Sequence, residues 1–258
     1  MRHADCDPYL FGYAGASQSS VSTSEQEGHA PMVRFAVTSF FVIATSACVI
    51  GAPEDARAQN AEGKLSDWSG GAVDVMNWAL TGPPAVIGSI GEDGAIRLHL
   101  PDTVDAKQPL SQLFSCSDGS VTSNDPDAEY FITSPALMVG SVAKKQLLGT
   151  LIAATNRDAA AARAGRAPIA AGRYYQWLYT PDTVTIEGDC RSDVFPDGTT
   201  RVEVTTTYAM TLEPGWTILE VEMAEVETSS KGFAVARDLT FRTLDALPAE
   251  AQWFYWPE

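Results

Sequence analysis

Three histidines occur in the chain, and two of them, His3 and His29, precede residue 32. A Ser-His-Asp triad or a histidine-based zinc site in the rest of the chain would therefore depend on His99. That residue shares the outer face of an alternating segment with Arg97, and no G-x-S-x-G elbow accompanies it. It reads as a surface histidine. Ser141-Val142-Ala143-Lys144 matches the S-x-x-K pattern in which a lysine helps to activate a serine. The companion motifs fail, because Ser123-Asn124-Asp125 precedes the pattern and Lys231-Gly232 lacks the intervening residue. Residues 136–142 also have the character of a strand, where the pattern requires a helix. No catalytic residue is assigned.

Oxygen ligands are denser in one loop, where Asp118, Asn124, Asp125, Asp127 and Glu129 lie close together. Calcium takes such hard ligands, and it is the one cofactor considered. The spacing fits no EF-hand, however, and Pro126 stiffens the middle, so a solvated acidic loop is the plainer reading. A second acidic set is Glu220, Glu222, Glu225 and Glu227. Paired carboxylates hydrolyse glycosides, but Glu220 and Glu222 alternate with Leu219, Val221 and Met223, which predicts the wet face of a strand. Tyr175, Trp177 and Tyr179 point to one side of another strand, opposite Tyr174, Gln176 and Leu178. An aromatic row of this kind either stacks on a sugar ligand or fills a core, where each ring buries roughly 150–250 Å². The core is the preferred reading, with Trp253-Phe254-Tyr255-Trp256 closing one end.

These side chains need strands to position them. Residues 85–90 and 95–100 form a predicted hairpin around Gly91-Glu92-Asp93-Gly94, whose Asp-Gly supplies the positive φ. Further strands are predicted at 72–80, 129–133, 136–142, 146–154, 173–180, 183–190, 200–212, 217–228 and 233–243. Residues 109–114 read as a short helical turn. Clear helical propensity occurs only at 156–165, around the alanine run 159–162. Strands with turn signals about every ten residues indicate an all-β, mostly antiparallel β-sandwich with one short helix.

Residues 32–58 have the plan of a cleavable signal peptide: Arg34, the apolar run 35–52, and the A-x-A exit Ala56-Arg57-Ala58. Cleavage there would leave 59–258 as one β-sandwich domain, with subdomains 59–139 and 140–258 as an alternative division. Residues 1–31 are polar and read as a disordered extension or as a start assigned upstream of Met32. An uncleaved anchor and lipidation at Cys48 are the competing readings. The predicted location is periplasmic or secreted, without a transmembrane helix in the mature protein.

Residues 59–258 hold fourteen Lys and Arg against twenty-seven Asp and Glu, a formal charge of −13 within the −16 of the whole chain. That sign argues against nucleic acid and anionic lipid as partners. Cys116 and Cys190 remain after the exit site, and in an oxidising compartment an even pair reads as a disulfide.

Several pieces together resemble a group of uncharacterised bacterial secreted proteins and lipoproteins. They are Trp68, Asp93-Gly94 with Leu100-Pro101, Gly172-x-Tyr174-x-x-Trp177-x-Tyr179, Val184-Thr185-Ile186-x-Gly188, and the Gly215-Trp216 pair on a strand. In that group Gly-Trp is commonly followed by Asn, where this chain has Thr217. The resemblance implies an envelope β-sandwich and carries no catalytic residues. The expected function is that of an exported cell-envelope protein with a binding or structural role, whose partner is an envelope protein or polysaccharide. The alternative is a carboxylate-dependent hydrolase acting on glycosides.

Overall fold

The computed structural model describes residues 56–77, 84–105, 107–114, 116, 120–229 and 231–258. The extension 1–31, the part of the predicted signal peptide before Ala56, Cys48 and Asp118 lie outside them. A four-residue helix, α1 (Ala56–Gln59), leads into β1 (Glu62–Lys64), β2 (Val73–Asn77), β3 (Ala85–Ile90) and β4 (Ala95–Leu98). After β5 (Gln108–Pro109) a single 3-10 turn at Leu110–Gln112 precedes β6 (Thr122–Ser123), β7 (Glu129–Ile132), β8 (Leu137–Ser141) and β9 (Gln146–Ala154). Helix α2 (Arg157–Arg163) is followed by β10 (Gly172–Thr180), β11 (Val184–Val194), β12 (Val202–Leu212), β13 (Gly215–Thr228), β14 (Ala234–Leu244) and β15 (Gln252–Pro257).

The protein is all-β, and among the described residues its strand pairings are antiparallel except that of β12 with β14. Strand order runs β1-β4-β3-β2-β8-β9-β10-β13-β14-β12-β11-β6. On one edge of β9 lie β8 and then β10, and on the other lies β15. The aromatic segment 253–256 is therefore a sheet strand and not an end plug. β2 pairs with β8 through Asp74↔Gly140 and Val75↔Val139, so strands from either side of position 140 share one hydrogen-bonded network. The predicted 72–80 strand is described only as Val73–Asn77, because 78–83 are outside the described residues.

Local chemistry accounts for the punctuation. In the β3–β4 hairpin Gly94 has φ 80°, and Asp93 accepts the N–H of Ala95 at 3.1 Å, which holds its carboxyl below the usual carboxylate range. Asn156 caps α2 by accepting the N–H of Ala159 at 2.8 Å. Between β11 and β12, Asp197 accepts the N–H groups of Thr200 (2.6 Å) and Thr199 (2.8 Å) and both threonine hydroxyls.

The main core gathers Val75, Ile87, Ile90, Ile96, Leu98, Leu137, Val139 and Leu151 from the first half of the chain with Tyr175, Trp177, Tyr179, Trp216 and Ile218 from the second. Ala58 and Ala61 belong to the same cluster. Trp216 Nε1 donates to the carbonyl of Pro101 at 2.7 Å, tying strand β13 to a segment 115 residues earlier. On the opposite face of β13, β14 and β12, Leu219, Val221, Phe241, Tyr208 and Met210 are also buried. There Phe114 meets Tyr208 edge-on, with ring centroids 6.3 Å apart, and Tyr208 stacks on Phe241.

Cys116 and Cys190 form a disulfide across 74 residues, with Cα atoms 5.6 Å apart. It fastens the segment after Phe114 to β11. Gly188 permits this approach, because a Cβ there would lie 2.3 Å from the carbonyl oxygen of Ser120.

Replacing both cysteines by serine should lower unfolding stability by about 2–5 kcal/mol in denaturant titrations, the range for a closed loop of this length. Asp197 has its pKa lowered, chiefly by the Thr200 N–H and then by the Thr200 hydroxyl. A depressed folded pKa gives stability that is present above the ordinary carboxylate pKa, about 3.9, and is lost as pH falls through the folded value. Asp197→Asn should therefore unfold at lower urea than the parent at pH 7, and the gap should narrow in strong acid.

Candidate functional site

Strand β13 changes character along its inward face. Trp216 and Ile218 are apolar, then Glu220 and Glu222 continue the same alternation. The register places Glu220 directly between Tyr175 of β10 and Arg242 of β14, and places Glu222 beside Arg173. These residues occupy one face of three adjacent strands, next to the apolar core.

Glu220 has a side chain only 4% exposed, and a lone buried carboxylate would be costly. Arg242 answers that cost, with Nε donating to Glu220 and Nη2 donating to Glu222. Arg173 adds contacts of 3.9 Å to Glu220, 3.6 Å to Glu222 and 3.3 Å to Glu250, which precedes β15. Two guanidinium groups thus hold three carboxylates. The expectation that Glu220 and Glu222 form a wet face is corrected for Glu220, which is buried. Glu222 is about one-third exposed.

The Tyr175 hydroxyl is buried beside Glu220 and forms no well-aligned hydrogen bond. Its pKa is pushed up, first by burial and then by the adjacent Glu220 charge. A neutral phenol and arginine-paired carboxylates offer positioning groups and acceptors.

Tyr175, Trp177 and Tyr179 are all buried in the core, and Trp177 stacks on Trp253 with centroids 6.0 Å apart and planes 11° apart. Their rings lie within the core cluster and not on an open surface. Asp125 accepts the N–H of Asp127 at 3.2 Å, Asn124 accepts that of Thr185 at 2.8 Å, and Glu129 pairs with Lys107 at 3.6 Å. The Asn124 bond ties the acidic loop to β11, and the Lys107–Glu129 pair ties β7 to the segment before β5. Among the described residues no group of three His, Cys, Asp or Glu side chains is arranged to hold a metal. His99 is exposed, and its Nδ1 lies 2.7 Å from Asn60 Oδ1. Ser141 Oγ accepts the backbone N–H of Lys144 at 3.3 Å in the β8–β9 turn, so this S-x-x-K lies in a strand and turn.

Sequence reasoning missed Arg173, Arg242 and Glu250 as partners of these carboxylates. The available signal was Trp216 and Ile218, which set the inward phase of β13 two residues before Glu220. Compared with known protein families, curated proteins and solved structures, the chain has no match.

Arg242→Ala should leave Glu220 buried with only the more distant Arg173, at a cost of about 3 kcal/mol. Glu222→Gln, at a half-open position, should cost under about 1 kcal/mol. Equal losses in urea unfolding would contradict this division.

Proposed function

We propose that the chain is an exported cell-envelope protein, periplasmic or secreted, whose β-sandwich has a binding or structural role. The observation that carries this reading is the Cys116–Cys190 disulfide, since such bonds persist in oxidising compartments. The signal-like segment 32–58 supports it. No helix among the described residues is long and apolar enough to cross a membrane. The sandwich reading rests on strands β2, β3, β4, β8 and β9, which share a core with one face of β10 and β13. The Tyr175, Trp177 and Tyr179 row then packs between the layers, and the paired arginines tie the neighbouring strands β10, β13 and β14. The partner class proposed is a protein or polysaccharide of the envelope. The acidic balance of the chain disfavours nucleic acid.

A second reading is favoured by one specific feature, the buried Glu220 beside Glu222, Glu250 and the buried Tyr175 hydroxyl. It makes the protein a carboxylate-dependent hydrolase of glycosides. Turnover of a glycoside panel that disappears in both Glu220→Gln and Glu222→Gln would favour it over the binding role.

Export has a direct test. Protein recovered from the periplasm or medium should begin at Gln59 by intact mass and show the Cys116–Cys190 bond in non-reducing peptide maps. A reduced, uncleaved chain confined to the cytoplasm would overturn the proposal.

A further inference from the structure

Among the described residues, two of the few large apolar side chains left exposed lie at neighbouring turns. Phe195, 54% exposed, opens the β11–β12 turn, and Phe233, 51% exposed, precedes β14. The parallel register of β12 with β14 brings both turns to the same end of the sheet. Lys231 joins them, with Nζ 3.1 Å from Thr199 Oγ1 and 3.4 Å from the Asp197 carbonyl.

This end projects. Gly172, at the start of β10, pairs with Met223, and β13 continues to Thr228 while paired with β14. Five residues of strand extend the arm by roughly 16 Å beyond β10. Beneath the turns Val194, Val202, Val204 and Val235 form a separate small core with Leu239, which stiffens the arm. The arm is therefore a supported wedge with a phenylalanine on each of two turns.

Its charge also differs from that of the chain. Segments 191–203 and 225–237 carry Arg191, Arg201, Lys231 and Arg237 against Asp193, Asp197, Glu203, Glu225 and Glu227, close to balance in a chain of −16. Arg201 pairs with Asp193 at 2.7 Å and Arg237 with Glu227 at 3.6 Å, while the Asp197 side chain is enclosed by its own turn. The side chains of Arg201, Lys231 and Arg237, on the same two segments, remain substantially exposed.

We propose that this arm docks on the interface of a phospholipid bilayer, with Phe195 and Phe233 entering the acyl boundary and the flanking cations reaching lipid phosphates. A convex tip suits a deformable apolar layer, while a protein partner would have to supply two matching pockets. Near-neutral charge matches a zwitterionic surface, which the acidic remainder of the chain does not contact. Each inserted ring contributes on the order of tenfold to partitioning, so the association is weak and depends on both. The proposal stands on the geometry of the tip and is independent of whether the chain is exported.

The test uses the full chain as cells produce it, with Phe195→Trp and Phe233→Trp introduced separately. Vesicles are phosphatidylcholine with brominated acyl chains, without and with anionic phosphatidylglycerol. Each tip tryptophan should shift to shorter wavelength and be quenched beyond the background of the six native tryptophans. A Phe195→Ser/Phe233→Ser double variant, with unchanged circular dichroism, should lose at least roughly tenfold of the affinity contributed by the tip. Tip tryptophans that stay unquenched at millimolar lipid would overturn the proposal, even if the apolar run 35–52 holds the chain on the vesicle. A tip response to envelope vesicles that disappears when their proteins are removed would assign the surface to a protein partner and overturn it equally.

Discussion

Strand β10 is covered on both faces, and the remainder of the structure is arranged around that constraint. Tyr175, Trp177 and Tyr179 pack into the core shared with the first half of the chain, while Tyr174 and Leu178 are buried on the reverse side. Its edges are occupied too. β13 pairs along its whole length, and β9 and β7 divide the other edge between them. A strand enclosed in this way leaves no room for register slippage, because a shift by one residue would exchange its two buried sets of side chains. Trp216 extends the arrangement by combining core packing with a hydrogen bond to Pro101.

Polar groups beside this core are accommodated by pairing. Arg242 and Arg173 make it tolerable for Glu220 to lie inside, in line with Tyr175 and Arg242 across three strands. Such a cluster adds directionality that an apolar patch lacks. On the other face of the sheet the Cys116–Cys190 bond draws a loop close to β11, bringing Phe114 onto Tyr208. One face is thus organised by charge and packing, and the other by a covalent link and stacked rings.

Much of this was legible in the residues themselves. The period of two in Ile96, Leu98 and Leu100, the Asp93-Gly94 turn and the alanine run of α2 each encode a local preference, and the corresponding elements are present. The cysteine pairing followed from there being only two candidates after the A-x-A exit. What local pattern could not show is which strands become neighbours. The phase of β13 was read from Leu219, Val221 and Met223 alone, so the burial of Glu220 escaped notice. Its cause is two-sided coverage, which makes both alternating sets inward. Arg173 and Arg242 lie 47 and 22 residues before and after Glu220, a separation that only sheet register resolves. The β15 aromatics gave a composition signal but no indication that β9 would be their partner.

The parallel alignment of β12 with β14 has a consequence for how the chain assembles. β12 and β13 are consecutive, yet β14 lies between them, and Glu213-Pro214 spans the gap. β11 with β12 and β13 with β14 are each local hairpins, of the kind that close within microseconds. Bringing the two ribbons side by side demands contacts distant in sequence, so it is the slower event. Until it is complete, the facing borders of both ribbons expose unpaired amides and carbonyls. A folding helper that shields open strand borders would act on this chain at that interval.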